Sequence, residues 1–207
     1  MNYGFLRTLK KLRTKNKLIL DQNLPPLFFF SDRIAIHNIF NIIENLPKNS
    51  AVIVREYDLS ENQRLDFAKK IINIAQKKSL KVFVGKDWRL AIKIKADGVH
   101  FSDHNDVRRC LWKSNRILSK KLLISYSCHS ATSIKKAEKY GCDLIFYSPI
   151  FTTKTHPQQK PIGSFGLRNF LSKTSIPIYA LGGIDNKNIH RLGNCGIAGI
   201  GGISVFV

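Results

Sequence analysis

The chain is short of acid. Its 207 residues hold 14 Asp and Glu against 34 Lys and Arg, a formal charge of +20. A surface so unbalanced attracts anions: nucleic acid, anionic lipid or phosphorylated metabolites. Other shortages narrow the choice. No apolar run approaches the roughly 20 residues that a membrane-spanning helix needs. The basic N-terminal run (Arg7, Lys10, Lys11, Arg13, Lys15, Lys17) is followed only by Leu18-Ile19-Leu20, too short for the apolar part of a secretory signal. Four cysteines (Cys110, Cys128, Cys142, Cys195) form no CxxC pair and no metal-finger spacing, so they read as reduced thiols of a cytoplasmic protein. No RNA-recognition, zinc-finger or basic-zipper signature accompanies the basic residues, and beyond the N-terminal run they are spread along a chain rich in Lys, Asn and Ile. The charge therefore reads as a compositional bias, with neither nucleic acid nor membrane expected as a partner.

What is present is a regular alternation. Hydrophobic residues make up 43% and charged residues 23%, the proportions of a globular protein, and the length suits one domain with a substantial core. Phe5 to Lys17 can form a basic helix with Leu6, Leu9 and Leu12 on one side, and Pro25-Pro26 ends any helix. Short apolar runs then recur at 27–30, 51–54, 81–84, 98–101, 122–126, 143–147, 176–181 and 196–200, as in strands buried on both faces. Helical patterns lie between them at 34–46, 65–75, 88–94, 107–118, 130–140, 167–171 and 188–192. Ser60 with Gln63, and Ser130, are helix-opening signals.

Each helix between strands acts as a crossover and forces parallel pairing, and eight such units close into a (β/α)8 barrel. The competing open, doubly wound sheet lacks support, because no G-x-G-x-x-G follows the first strand. Residues 1–24 read as a basic helix and linker and 25–207 as the barrel. The last strand is followed by little chain, so the final helix is expected to be truncated or missing, with 5–17 covering that gap or the barrel floor.

Functional loops of this fold lie at the C-terminal ends of the strands, and phosphate is often held by backbone amides after strands seven and eight. Leu181-Gly182-Gly183-Ile184-Asp185 and Gly199-Ile200-Gly201-Gly202-Ile203-Ser204 occupy those places. Glycines let backbone N–H groups approach an anion closely.

An ordered set of short motifs adds a resemblance. Phe28-Phe29-Phe30-Ser31-Asp32-Arg33, Val54-Arg55-Glu56, Ala96-Asp97-Gly98-Val99-His100, Ser127-Cys128-His129-Ser130, Ser148-Pro149-Ile150-Phe151-Thr152-Thr153-Lys154-Thr155 and Ala180-Leu181-Gly182-Gly183-Ile184 follow one another. The set resembles the thiamine-phosphate synthase superfamily, which includes the TenI-type thiazole tautomerases, over about residues 27–204. The resemblance implies substrates that are small phosphorylated heterocycles. In the synthases a pyrimidine diphosphate loses pyrophosphate with Mg2+ help and is trapped by a thiazole phosphate. The tautomerases isomerise a thiazole phosphate carboxylate without metal. A homodimer is the oligomer to look for.

By the same resemblance, Arg55 is the diphosphate-contacting arginine and Ser127 the substrate-contacting serine. Thr153 and Thr155 are the two threonines after strand six, and Gly182, Gly183, Gly199 and Ser204 belong to the phosphate turns. The metal half departs from the family. Gln-x-Arg-x-Lys on the second strand is here Ile53-Val54-Arg55-Glu56-Tyr57, Asn-Asp after the third strand is Gly85-Lys86, the second metal aspartate is Asn105, and a lysine after the second threonine is His156. Lys86 and His156 thus become candidate diphosphate contacts. A retained Mg2+ would need a shifted site using Asp87 with Asp103 or Asp106. The reading taken forward is a synthase-like coupling enzyme with Arg55, Ser127 and His129 as catalytic candidates; the alternatives are a metal-free tautomerase with His129 as acid/base and a non-catalytic binder of thiazole phosphate or thiamine phosphate. Cys128 and His100 read as structural residues.

Overall fold

The computed structural model describes residues 7, 8, 11, 24–103, 107, 122–153, 158–193 and 195–206. Most of the expected helices at 5–17 and 107–118 lies outside these residues. In chain order the elements are β1 (Leu27–Phe30), α1 (Ile39–Glu44), β2 (Ala51–Val54), α2 (Glu61–Lys78), β3 (Lys81–Gly85), α3 (Trp88–Lys93), β4 (Gly98–Phe101), β5 (Leu123–Cys128), α4 (Ala131–Lys139), β6 (Leu144–Tyr147), α5 (Gly163–Leu171), β7 (Ile178–Leu181) and β8 (Gly199–Gly202). One-turn 3-10 helices lie at Ile189–Leu192 and Ser204–Phe206. Each strand pairs in parallel with the next. β8 closes on β1 through Leu27–Ile200, Phe28–Gly201 and Phe29–Gly202, giving a (β/α)8 barrel. Among the described residues no helix is long and apolar enough to cross a membrane.

Short apolar runs become strands here because both faces find apolar cover. Alternate residues point opposite ways, which splits the core in two. Phe28, Phe30, Ala51, Ile53, Phe83, Leu144, Phe146 and Tyr179 fill the barrel interior. Leu27, Phe29, Val52, Val54, Val82, Val84, Ile124 and Ile145 face the surrounding helices. Phe28 stands at the centre of the interior, edge-on to Tyr179, Phe146 and Phe83 at centroid distances of 4.9, 5.0 and 5.3 Å. Rings that large fit because the facing strands carry glycine. A Cβ on Gly201 would stand 2.8 Å from the Phe30 ring and 3.1 Å from Phe146. The floor is sealed by the Tyr179 hydroxyl, which donates to the Pro25 carbonyl at 2.7 Å.

Some boundaries differ from the sequence reading. The first helix starts at Ile39 rather than 34, because Asp32 draws the chain into a turn: its carbonyl accepts from Ile36 N and its Oδ1 from Ala35 N, both at 2.9 Å. The last strand begins at Gly199 rather than 196, since Gly196 is in the left-handed region (φ +80°). α2 runs longer than its apolar stripe, with Ser60 and Gln63 forming the expected reciprocal cap. Cys128 is buried in the outer core, and burial pushes its thiol well above the usual range, as expected of an inert packing residue.

Candidate active site

Towards the C-terminal ends of the strands the inward positions change from aromatic to polar. On β4 and β5 they are His100, Ser125 and Ser127, all buried. His100 Nδ1 lies 3.0 Å from Ser125 Oγ and Nε2 lies 3.1 Å from Ser127 Oγ. The Ser125 hydroxyl donates to the Val99 carbonyl at 3.3 Å, so it accepts from His100 Nδ1–H. Nε2 is then the bare nitrogen and accepts a hydrogen bond from the Ser127 hydroxyl, which leaves the Ser127 lone pairs as acceptors. Burial, with the Arg55 charge adding to it, pushes the His100 pKa down to about 3, and the ring is neutral.

That shift has a consequence for stability. In the unfolded chain His100 titrates near 6.5, so between pH 6.5 and about 3 the unfolded state binds a proton that the folded state refuses. Stability should therefore fall with acidification through this window, by about 1.4 kcal/mol per pH unit. Urea unfolding at pH 7 and pH 5 measures it, above the range where most carboxylates titrate. His100→Gln, which keeps hydrogen-bonding ends without the titration, should show a flatter slope; equal slopes would refute the assignment.

His100 and Ser127 open into a cavity of about 310 Å3 at the barrel mouth. Of the residues singled out from sequence, Arg55, Lys86, Ser127, His129, Thr153, Gly182, Gly183 and Ser204 line this one space. Gly182 and Gly183 turn the chain after β7 with φ of +87° and +69°. Their loop bonds use carbonyls: those of Leu181 and Gly182 accept from Ile150 N and Phe151 N, and that of Gly183 from Asn188 Nδ2. Among the described residues no loop carbonyl takes an amide of Gly183, Ile184, Ile203 or Ser204. Gly199 is a correction. It is the first residue of β8, at the opposite end of the barrel, where a Cβ would meet the Pro26 carbonyl and the Tyr179 ring. Gly201 and Gly202 stand at the mouth in its place.

His129 follows β5, and its backbone N donates to Ser133 Oγ at 2.9 Å beside the capping box of α4. Its Nδ1 donates to the Ser148 carbonyl at 2.9 Å, which leaves Nε2 as the basic nitrogen. Arg55 follows β2. Its backbone N donates to Ser31 Oγ and to Glu56 Oε2, each at 3.0 Å, and its Nη2 lies 3.4 Å from Asp32 Oδ2. The Arg55 Nε is buried with no partner. Lys86 stands at the tip of β3 in the left-handed region (φ +63°). Its backbone N donates to the His100 carbonyl at 2.7 Å and its Nζ lies 4.4 Å from the centre of the Tyr57 ring.

The carboxylates considered for Mg2+ are engaged elsewhere. Asp87 Oδ1 accepts from Leu90 N at 3.0 Å as the N-cap of α3, and its Oδ2 lies 3.8 Å from Arg64 Nη1. The Asp103 Oδ1 accepts from the Tyr126 hydroxyl at 3.4 Å and faces Lys136 Nζ at 3.6 Å. Neither lines the cavity, and among the described residues no three His, Cys, Asp or Glu are grouped to hold a metal. Mg2+ requires hard oxygen donors, usually carboxylates, so the described residues do not fit it. Asn105, Asp106, Thr155 and His156 lie outside the described residues.

Sequence reasoning passed over Ser125 and treated His100 as structural only. The usable signal was their inward register: His100, Ser125 and Ser127 alternate with core residues on neighbouring strands.

A (β/α)8 barrel whose mouth gathers the glycine turn after β7, the glycine end of β8, an arginine and a lysine around one cavity is a scaffold of the enzyme class that handles small anionic substrates. Comparison narrows the class. The family model described as thiamine monophosphate synthase matches residues 27–206, and the chain belongs to that family. A protein of Aquifex aeolicus, provisionally named a thiamine-phosphate synthase, is 33% identical over 187 residues, 89% of this chain and 98% of the relative. The thiamine-phosphate synthase of Prochlorococcus marinus subsp. pastoris is 32% identical over 171 residues, and the chain spans 47% of that longer relative. The solved structure of a thiamine phosphate pyrophosphorylase from Pyrococcus furiosus superposes with a TM-score of 0.74 at 23% identity, covering 89% of this chain and 88% of that one, which places the fold.

Proposed function

We propose that the protein is a cytoplasmic transferase that couples a pyrimidine diphosphate to a thiazole phosphate, releasing pyrophosphate and forming thiamine phosphate. One observation carries this reading: a single cavity is lined both by Gly183 and Ser204, whose amides meet no loop carbonyl among the described residues, and by Arg55 and Lys86. The first suits a phosphate monoester and the second a diphosphate leaving group. In the reaction the carbon–oxygen bond to the diphosphate breaks, its electron pair leaves with pyrophosphate, and the thiazole nitrogen supplies the pair for the new bond. Arg55 and Lys86 stabilise the charge that develops on the leaving oxygen, and Ser127, an acceptor by its bond to His100, orients the ring between the two ends. Mg2+, which the family resemblance implies, finds no fitting donor set among the described residues, and no step is assigned to it.

His129 supports a second reading, a metal-free thiazole tautomerase, because its fixed tautomer leaves Nε2 free to take and return a proton. Incubation with both coupling substrates, with and without Mg2+, is expected to yield thiamine phosphate. Isomerisation of the thiazole phosphate carboxylate without coupling would favour the second reading, and no product in any arm would overturn both.

A further inference from the structure

We infer that the cationic side of the mouth binds a diphosphate as the free anion, with the Lys86 ammonium and the Arg55 guanidinium supplying the positive charge that a divalent ion would otherwise bring. The inference deepens the coupling reading and rests on it for the identity of the natural ligand. Among the described residues that line the cavity there is no Asp or Glu, while Arg55 and Lys86 are both present. The nearby carboxylates have partners already: Glu56 Oε2 accepts from Ser31 Oγ at 2.7 Å and from Arg55 N, and Asp87 caps α3 beside Arg64. Among the described residues no carboxylate pairs with Lys86, and the Nη end of the Arg55 guanidinium has a single long carboxylate contact, to Asp32. Both cations thus have donor capacity left for an anion.

The backbone at Lys86 gives the same indication. A lysine in the left-handed region is strained relative to glycine, and here the strained residue is pinned by its bond to the His100 carbonyl, with its side chain laid over the Tyr57 face beside the cavity. Two single charges on separate groups sum to the charge of one Mg2+, though each sits on a bulkier head than the ion.

The sign of the metal effect separates this arrangement from a metal-bound diphosphate. Mg2+ chelates pyrophosphate in solution and lowers its charge, so added Mg2+ should leave binding unchanged or weaken it. Calorimetric titration of the full chain with inorganic pyrophosphate in EDTA is expected to show binding that Mg2+ does not tighten. Lys86→Gly, which relieves the backbone strain and so should not lower the melting temperature, is expected to weaken that binding by at least about tenfold. Lys86→Arg is expected to restore it. Binding that requires Mg2+, or a Lys86→Gly variant that binds pyrophosphate like the parent in EDTA, overturns the inference. The first result would leave the coupling reaction standing, while failure to form thiamine phosphate would leave this binding measurement readable.

Discussion

Gly183→Ala is expected to cost about 2–4 kcal/mol of stability and to remove affinity for inorganic phosphate. The residue has φ of +69°, a region that L side chains rarely adopt. A methyl there would stand 2.5 Å from the Phe151 carbonyl oxygen and 2.6 Å from its carbon, and would press on the Thr152 carbonyl. All three atoms are backbone, so no rotamer change relieves the contact. The loop after β6 must shift, taking Thr153 with it, or the β7 turn must open and carry its amides off the cavity. Gly196→Ala supplies the control. It has φ of +80° but meets nothing within 4 Å, so it measures the conformational cost alone, about 1 kcal/mol. Urea unfolding and phosphate titration of both variants test the argument. Equal losses of stability, with phosphate affinity intact in Gly183→Ala, would show that this turn neither packs on the β6 loop nor holds the anion.

Arg55→Met should lower the coupling rate by about 100- to 1,000-fold with little change in stability. The two effects separate because different atoms are involved. The backbone N of Arg55 makes the bonds to Ser31 and Glu56, and the variant keeps them. The side chain makes a 3.4 Å pair with a partly exposed Asp32, and pairs of that kind contribute about 1 kcal/mol or less. What the variant loses is the charge lining the cavity beside Lys86. If turnover and melting temperature fall together, the arginine is a structural strut. If neither moves, the diphosphate end lies elsewhere. In the tautomerase reading, coupling is absent in the parent and Arg55→Met leaves isomerisation largely intact.

Much of the fold could be read from the residues in order. Four-residue apolar runs such as Leu27 to Phe30 and Ala51 to Val54 must be buried on both faces, and the helices between them force parallel pairing. Ser60 with Gln63, and Ser130, announced their helices because capping is a local exchange of hydrogen bonds within one turn. The glycine pair after β7 was legible as a turn for the same reason, since backbone conformation is a property of the residue and its neighbours, whereas Gly201-Gly202 forms the end of β8.

The assignments that needed revision depend on contacts distant in sequence. Asp87 looks like a ligand when spacing is counted; one carboxylate oxygen makes a local cap on α3, and the distant contact is the other oxygen's approach to Arg64 of α2. Gly199 and Gly201 are two residues apart in one glycine-rich run. The register of β8 against β1 and β7 sends one to the floor and the other to the mouth. His100 is one histidine among six in the sequence, and only the closing of β4 against β5 sets it between two serines and makes it neutral. Patterning and local hydrogen bonding therefore determined the elements and their order. Barrel closure decided which polar groups share the cavity and which are consumed outside it, because a side chain's hydrogen-bonding capacity is settled by neighbours that chain order does not reveal.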